Sequence, residues 1–150
     1  IQFIWQTGKY YYPQVTEAVR AAGKLPNLYV TDFIKDMAAA YAASDLVISR
    51  AGAGSISEFC LLHKPVVLVP SPNVAEDHQT KNALALVDKQ AAIYVKDSEA
   101  EAKLMDVALK TVADDQKLKE LSDNIAKLAL PDSARIIAQE VIKLAEAENK

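Results

Sequence analysis

The segment Ser49-Arg50-Ala51-Gly52-Ala53-Gly54-Ser55-Ile56-Ser57-Glu58 carries the most concentrated chemical signal in this chain. It follows a short apolar run, Asp45 to Ile48, and passes into a stretch of helical period. Gly52 and Gly54 have no side chains, so a ligand can approach the main chain closely there. The first N–H groups of a helix lack intrahelical partners and lie at the positive end of its dipole, which suits such a loop to a phosphate or pyrophosphate. A P-loop would need a lysine after its last glycine, and Ser55 stands there instead. A dinucleotide fingerprint wants a third small residue and a distant acid for the ribose; Ser57, and the lack of an acid at the end of the following strand, fit that poorly. The structural alternative is a tight strand-to-helix turn that needs the glycines only for its backbone.

Glu58 admits two readings. Ser55-Ile56-Ser57-Glu58 has the spacing of a capping box, in which Glu58 bonds back to the helix start. Otherwise Glu58 lies one turn into the helix, where its carboxylate accepts hydrogen bonds from two adjacent ribose hydroxyls. The same oxygens cannot do both.

Two further loops hold candidate binding groups. In Thr31-Asp32-Phe33-Ile34-Lys35-Asp36-Met37, the apolar Phe33, Ile34 and Met37 lie beside main-chain groups, which suits a flat base recognised along its edge. A hydrophobic staple across an Asp36 cap is the structural alternative. In Ser71 to Asn82, the residues His78, Gln79 and Asn82 begin a helix expected to face the same crevice as Gly52 to Ser55. Amides and an imidazole read sugar hydroxyls well, although a lone histidine at a helix start is also a common solvated neighbour of a cap. His63 reads as structural. The sequence shows no His/Cys cluster and no Asp-x-Asp pair to hold a divalent ion.

The elements that must position these loops follow from composition and pattern. The chain has 150 residues with 51% apolar and 25% charged, enough for one domain with a proper core and too apolar for disorder. A net charge of −3 without a Lys/Arg cluster argues against nucleic-acid binding, which needs a concentrated basic face. Cys60 is the single cysteine, so no intrachain disulfide can form; it reads as a small buried hydrophobe in an intracellular chain. No apolar run approaches the roughly 20 residues of a membrane span. Because the chain opens on Ile1, already inside an apparent strand and without an initiator methionine, it is expected to be a piece of a longer protein.

Short apolar runs alternate with helical patterns, which predicts an α/β fold: a parallel sheet with helices on both faces. Strands are expected over Ile1 to Gln6, Leu28 to Thr31, Asp45 to Arg50, Pro65 to Pro70 and Ala91 to Val95. A helix with Pro13 in its first turn and Gly23 as its stop joins the first two. Helices over Asp36 to Ala43, Ser55 to His63 and Asp77 to Asp88 follow the next three strands. Three more helical patterns form the last third, with Asp97, Asp114 and Asp132 as N-caps, and read mostly as scaffold. Ligands of open parallel sheets bind beyond the carboxyl ends of strands, where the three loops lie.

In their order, Phe33-Ile34-Lys35-Asp36-Met37, Ala40-Tyr41-Ala42-Ala43-Ser44-Asp45, Ser49-Arg50-Ala51-Gly52-Ala53, Ser57-Glu58, Lys64-Pro65, Pro70, His78-Gln79 and Asn82-Ala83 closely resemble the donor-binding half of the MurG family. These are the UDP-N-acetylglucosamine:lipid-linked muramyl-pentapeptide N-acetylglucosaminyltransferases of bacterial peptidoglycan synthesis. Ile4-Trp5-Gln6-Thr7-Gly8-Lys9 looks like the family's second strand of that half and its turn. The resemblance is dense to about residue 96 and looser in the helical tail.

The resemblance implies a GT-B architecture of two Rossmann-like domains. Residues 1–150 would form the donor-binding domain in the C-terminal half, without its first strand and Gly-rich loop, and the acceptor-binding domain would lie outside this chain. It further implies that the Ile34 backbone reads the uracil edge with Met37 nearby, and that Glu58 holds the ribose hydroxyls. Ala53, Gly54 and Ser55 would present the helix start to the diphosphate, and His78, Gln79 and Asn82 would lie near the N-acetylglucosamine. Arg50 would be either a cation near phosphate or a structural ion pair. UDP-N-acetylglucosamine is the implied donor, a lipid-linked muramyl-pentapeptide the acceptor through the missing domain, and no metal cofactor is implied, in line with the missing Asp-x-Asp. The parent enzyme would be cytoplasmic and peripheral at the inner face of the cell membrane, and the fragment alone would bind without turnover. Two rivals stand beside this expectation: another GT-B enzyme of the same nucleotide sugar, such as a UDP-N-acetylglucosamine 2-epimerase, and a non-catalytic nucleotide-binding module.

Overall fold

The computed structural model describes residues 1–148; positions 149 and 150 of the expected domain lie outside the described residues. Every strand pairing is parallel, as the alternation of apolar runs with helical patterns predicts. The chain divides into two compact units, Ile1–Ser44 and the part from Asp45 onward, each with its own sheet.

In the first unit β1 (Phe3–Gln6) pairs with β2 (Leu28–Thr31), placing Phe3 opposite Leu28 and Gln6 opposite Thr31. Between them runs α1 (Gly8–Ala22). It starts at Gly8, so Pro13 sits inside the helix and not in its first turn as expected. Pro13 offers no N–H to the Lys9 carbonyl, and the ladder lacks that bond. Gly23 ends α1 with φ 92°, its N–H on the Arg20 carbonyl, as a left-handed stop requires. Asp36 caps α2 (Met37–Ala43) by accepting the Ala39 N–H at 2.9 Å. Lys35 before the cap and Ala40 in the first turn leave no apolar pair for a staple. Ile4, Trp5 and Tyr29 remain about half exposed or more, because two strands and two helices are too few to cover both sheet faces.

The second unit holds β3 (Val47–Ser49), β4 (Val66–Leu68) and β5 (Ile93–Tyr94) in that spatial order. Central β4 is wholly buried, which is why its sequence is an unbroken apolar run instead of an alternation. After β3 comes α3 (Ala53–Leu61), and after β4 a polar loop and α4 (His78–Val87). Then follow α5 (Ala100–Val112), α6 (Asp115–Ala126) and α7 (Ser133–Glu148). Phe59, Ala83, Leu86, Leu121 and Ile125 close the core, and Cys60 is buried with them, its thiol pKa pushed up by desolvation. Asp114 caps α6 through the Lys117 N–H at 2.9 Å. Asp97 does not cap α5: a 3-10 turn over Asp97–Glu99 intervenes and Glu99 takes the cap position. The described part of α7 is exposed along its length, including Ile137, Val141 and Leu144, unlike the half-buried α5 and α6. Among the described residues no helix is long and apolar enough to cross a membrane.

Parallel pairing sends the carboxyl ends of each sheet's strands to one edge. In the first unit that edge carries the loop from Thr31 to Asp36; in the second it carries the loops after β3 and β4.

Candidate functional site

β3 ends at Ser49 and Ala51 is fully buried, so the chain turns into α3 with Gly52 as the N-cap. The first intrahelical bond runs from the Ile56 N–H to the Gly52 carbonyl at 3.0 Å. The N–H groups of Ala53, Gly54 and Ser55 therefore precede the ladder and have no partner within it. Gly52 has φ −70° and ψ 140°, and neither it nor Gly54 has positive φ, so the backbone alone does not demand glycine at either position. What Gly54 keeps is space: a Cβ built there would meet nothing within 4 Å. The tight-turn alternative thus loses its reason, and an exposed, unencumbered helix start remains.

The same helix start decides between the readings of Glu58. With the cap at Gly52, Ser55 is the third helical residue and Glu58 the sixth, out of register for a capping box. Ser57 turns its hydroxyl to the Ala53 carbonyl at 3.0 Å. Glu58 is exposed and lies four residues after Gly54, one turn up the same face. Helical side chains lean toward the N-terminus, which from Glu58 is the direction of Gly54.

Around this helix start the second unit fastens the amides of α4. Asn82 Nδ2 donates to the Ala51 carbonyl at 3.2 Å, and Gln79 Oε1 accepts the Ser71 N–H at 2.9 Å. One polar atom of each amide is thus spent on holding the loops after β3 and β4, and the other keeps its hydrogen-bonding capacity. His78 is exposed as the first residue of α4. Before it, Glu76 and Asp77 both have φ near 53–54°, a left-handed backbone that costs non-glycine residues free energy. Asp77 Oδ1 accepts the Thr80 hydroxyl at 2.6 Å, which ties this strained corner to the first turn of α4.

Arg50 makes the structural ion pair. Its Nη1 donates to Asp97 and to the carbonyls of Val69 and Pro70, at 3.1 and 3.3 Å for the last two. It clasps the end of β4 to the turn after β5. Asp97, expected as a helix cap, is instead the carboxylate partner of Arg50, and the signal for it lay in the charge of Arg50, which no nearby acid in the sequence answers.

In the first unit Ile34 is half-buried beside an open depression of about 530 Å³ whose lining includes Tyr29, Thr31, Phe33 and Ile34. Phe33 is 60% exposed. Met37 is the first residue of α2 and does not line the depression. The Ile34 N–H is held at 2.8 Å by Gln6 Oε1, a contact to which sequence reasoning gave no role. The available signal was a polar residue closing an apolar strand in register with Thr31. Among the described residues no group of three or more His, Cys, Asp and Glu could hold a metal ion.

Residues 1–137 match the glycosyltransferase family 28 C-terminal domain. The chain belongs to this family. This family 28 C-terminal domain is 97% identical, over 99% of the chain and 40% of the relative, to a Bacteroides thetaiotaomicron protein named UDP-N-acetylglucosamine--N-acetylmuramyl-(pentapeptide) pyrophosphoryl-undecaprenol N-acetylglucosamine transferase. A protein of the same name from Porphyromonas gingivalis strain W83 is 52% identical over 100% of the chain and 39% of the relative. The family 28 domain thus spans about two fifths of the length of the curated relatives it matches. Among solved structures, the crystal structure of Acinetobacter baumannii MurG superposes with a TM-score of 0.82 at 31% identity, over 95% of this chain and 41% of that one. The α/β, Rossmann-like expectation for the C-terminal half of a GT-B enzyme holds on these grounds.

Proposed function

We propose that this chain is the donor-binding part of an inverting hexosyltransferase that moves N-acetylglucosamine from UDP-N-acetylglucosamine to a lipid-linked muramyl-pentapeptide, the lipid I to lipid II step of peptidoglycan synthesis. The observation that carries this reading is the start of α3, where three N–H groups precede the helical ladder under an open strip at Gly54. Such a group of donors takes a diphosphate. Glu58 accepts the ribose hydroxyls, and His78, Gln79 and Asn82 meet the sugar. In the first unit the Ile34 main chain reads the base edge through its carbonyl, its N–H being held by Gln6, with Met37 nearby at the start of α2. Arg50 serves by bracing the strand ends. The close relatives named above support the choice of donor and acceptor.

In the transfer, the 4-hydroxyl of the acceptor muramyl sugar attacks the anomeric carbon of N-acetylglucosamine with inversion, and UDP departs. Negative charge gathers on the leaving diphosphate, and fixed N–H donors stabilise it in the transition state; losing one such donor costs about 3 kcal/mol. The reading requires no metal cofactor. The acceptor, the catalytic base and peripheral attachment to the inner face of the cell membrane belong to the part of the parent enzyme beyond this chain, so the chain alone binds donor without transfer. Titration calorimetry with UDP, UDP-glucose and UDP-N-acetylglucosamine tests the reading. Binding of UDP and UDP-N-acetylglucosamine is expected; a chain that ignores all three would sink it.

A further inference from the structure

The helical tail reads as scaffold in the sequence, yet α6 grips both helices whose starts carry the donor reading. α3 and α4 leave for the next strand through the same kind of turn. The His63 N–H reaches the Cys60 carbonyl at 3.3 Å and the Lys64 N–H the Phe59 carbonyl at 3.0 Å. After α4 the Gln90 N–H reaches the Val87 carbonyl at 2.8 Å and the Ala91 N–H the Leu86 carbonyl at 2.9 Å. Such a pair of bonds closes a helix on a left-handed residue, a place that glycine usually takes. Here His63 and Gln90 take it, each with φ 54°, which costs a residue with a Cβ free energy. Both of their carbonyls are received by α6. Ser122 Oγ donates to that of His63 at 2.8 Å, and Asn124 Nδ2 to that of Gln90 at 3.1 Å. Lys127 Nζ donates to Asn124 Oδ1 at 2.9 Å and so fixes which way the carboxamide points.

Helix geometry lets one element reach both neighbours. Leu121 and Ile125 are fully buried and form the stripe of α6 that enters the core. At 3.6 residues per turn, Ser122 lies about 80° to one side of that stripe and Asn124 about 80° to the other. α3 and α4 have only nine and ten residues, and packed elements pass a displacement on instead of absorbing it, so a shift where each helix ends is felt where it begins. α3 begins at the N–H groups assigned to the diphosphate, and α4 at His78 and Gln79, assigned to the sugar. We propose that Ser122 and Asn124 are positioning residues for the donor: they tie the trailing ends of α3 and α4 to one helix and thereby set how the diphosphate donors and the sugar-facing side chains stand to each other. This rests on the donor reading above and adds to it two residues remote from the ligand that hold its binding groups in register.

Affinities of UDP and UDP-N-acetylglucosamine for the chain and for Ser122→Ala, Ser122→Thr, Asn124→Ala and the pair Ser122→Ala with His63→Gly test it by calorimetry, with melting curves beside them. Ser122 and Asn124 are half-buried, and truncating them leaves the core stripe of α6 in place. Ser122→Ala and Asn124→Ala lower the ratio of UDP-N-acetylglucosamine to UDP affinity by about three- to tenfold, the worth of one displaced hydrogen bond to the sugar, with UDP binding nearly unchanged. Ser122→Thr, which keeps the hydroxyl, keeps the ratio. Adding His63→Gly to Ser122→Ala relieves the left-handed residue and raises the melting temperature, yet leaves the ratio low. An unaltered ratio in Ser122→Ala or in Asn124→Ala, whatever the melting temperature does, overturns the positioning role and leaves the donor site standing. So does an equal loss in Ser122→Thr, or a ratio that His63→Gly restores together with stability. A parent chain that binds neither ligand overturns the donor reading itself, and this proposal with it.

Discussion

The Asn82 carboxamide donates to the Ala51 carbonyl across 3.2 Å, joining the first turns of α4 to the loop that starts α3. Ala51 is fully buried, so its carbonyl has little access to water and depends on this donor. Asn82→Leu should destabilise the second unit by about 1–3 kcal/mol, the cost of leaving a buried acceptor unmet. Asn82→Asp, which turns an oxygen toward that oxygen, should cost more at neutral pH than on acidification. Denaturant melts at pH 4 and pH 7 check both the size and the ordering.

Gly54 separates folding from binding. A Cβ at this position meets nothing, and φ is not positive, so Gly54→Ala should hold or raise stability by a few tenths of a kcal/mol. The added methyl stands in the strip where a diphosphate approaches, so UDP affinity should fall. Paired melting and calorimetry decide it: a drop in both would mean that the glycine serves the fold.

Glu58 sits beyond the first turn of α3 and does not cap it. Glu58→Ala should leave the melting temperature nearly unchanged and weaken UDP by about tenfold, the loss of hydrogen bonds to a charged acceptor. 2′-Deoxyuridine diphosphate should already bind weakly to the parent and lose little more in the variant. Equal losses for both nucleotides would separate Glu58 from the ribose.

Acidification should touch α5 at one identifiable point. The Lys103 ammonium, bonded at 2.9 Å, holds the Glu99 carboxyl below its usual range. A lowered folded-state value means the pair stabilises the fold above the ordinary glutamate range and loses that effect as pH falls through the lowered value. Glu99 is solvent-exposed, so the effect is small and salt-sensitive. The parent should melt slightly above Glu99→Gln at pH 7 in low salt, with the gap closing on acidification below the ordinary glutamate range and in molar salt.

Where an element's limits depended only on neighbouring residues, they could be read directly. Asp36 and Asp114 cap the helices expected of them, and Gly23 stops α1. The helix containing Glu58 was also legible, but its start was not: Gly52 and Ser55 are both acceptable N-caps, and local preference does not rank them decisively. Burial of Ala51 and its bond to Asn82 settle the turn at Gly52, and that choice removes the capping box. Asp97 shows the same limit, since it has the right type for a cap and is recruited instead by Arg50, far away in sequence.

The order of residues by itself determined the alternation of strands and helices, the parallel pairing and the family to which the chain belongs, because periodicity and motif spacing are local properties carried along the chain. Only the tertiary structure decided which polar atoms are already spent within the protein. Gln6 holds the Ile34 N–H, Gln79 the Ser71 N–H, Arg50 the end of β4 and Asp97, and Asn82 the Ala51 carbonyl. Each of these bonds joins residues apart in sequence, and a hydrogen bond depends on distance and direction in space, which residue type and spacing leave open.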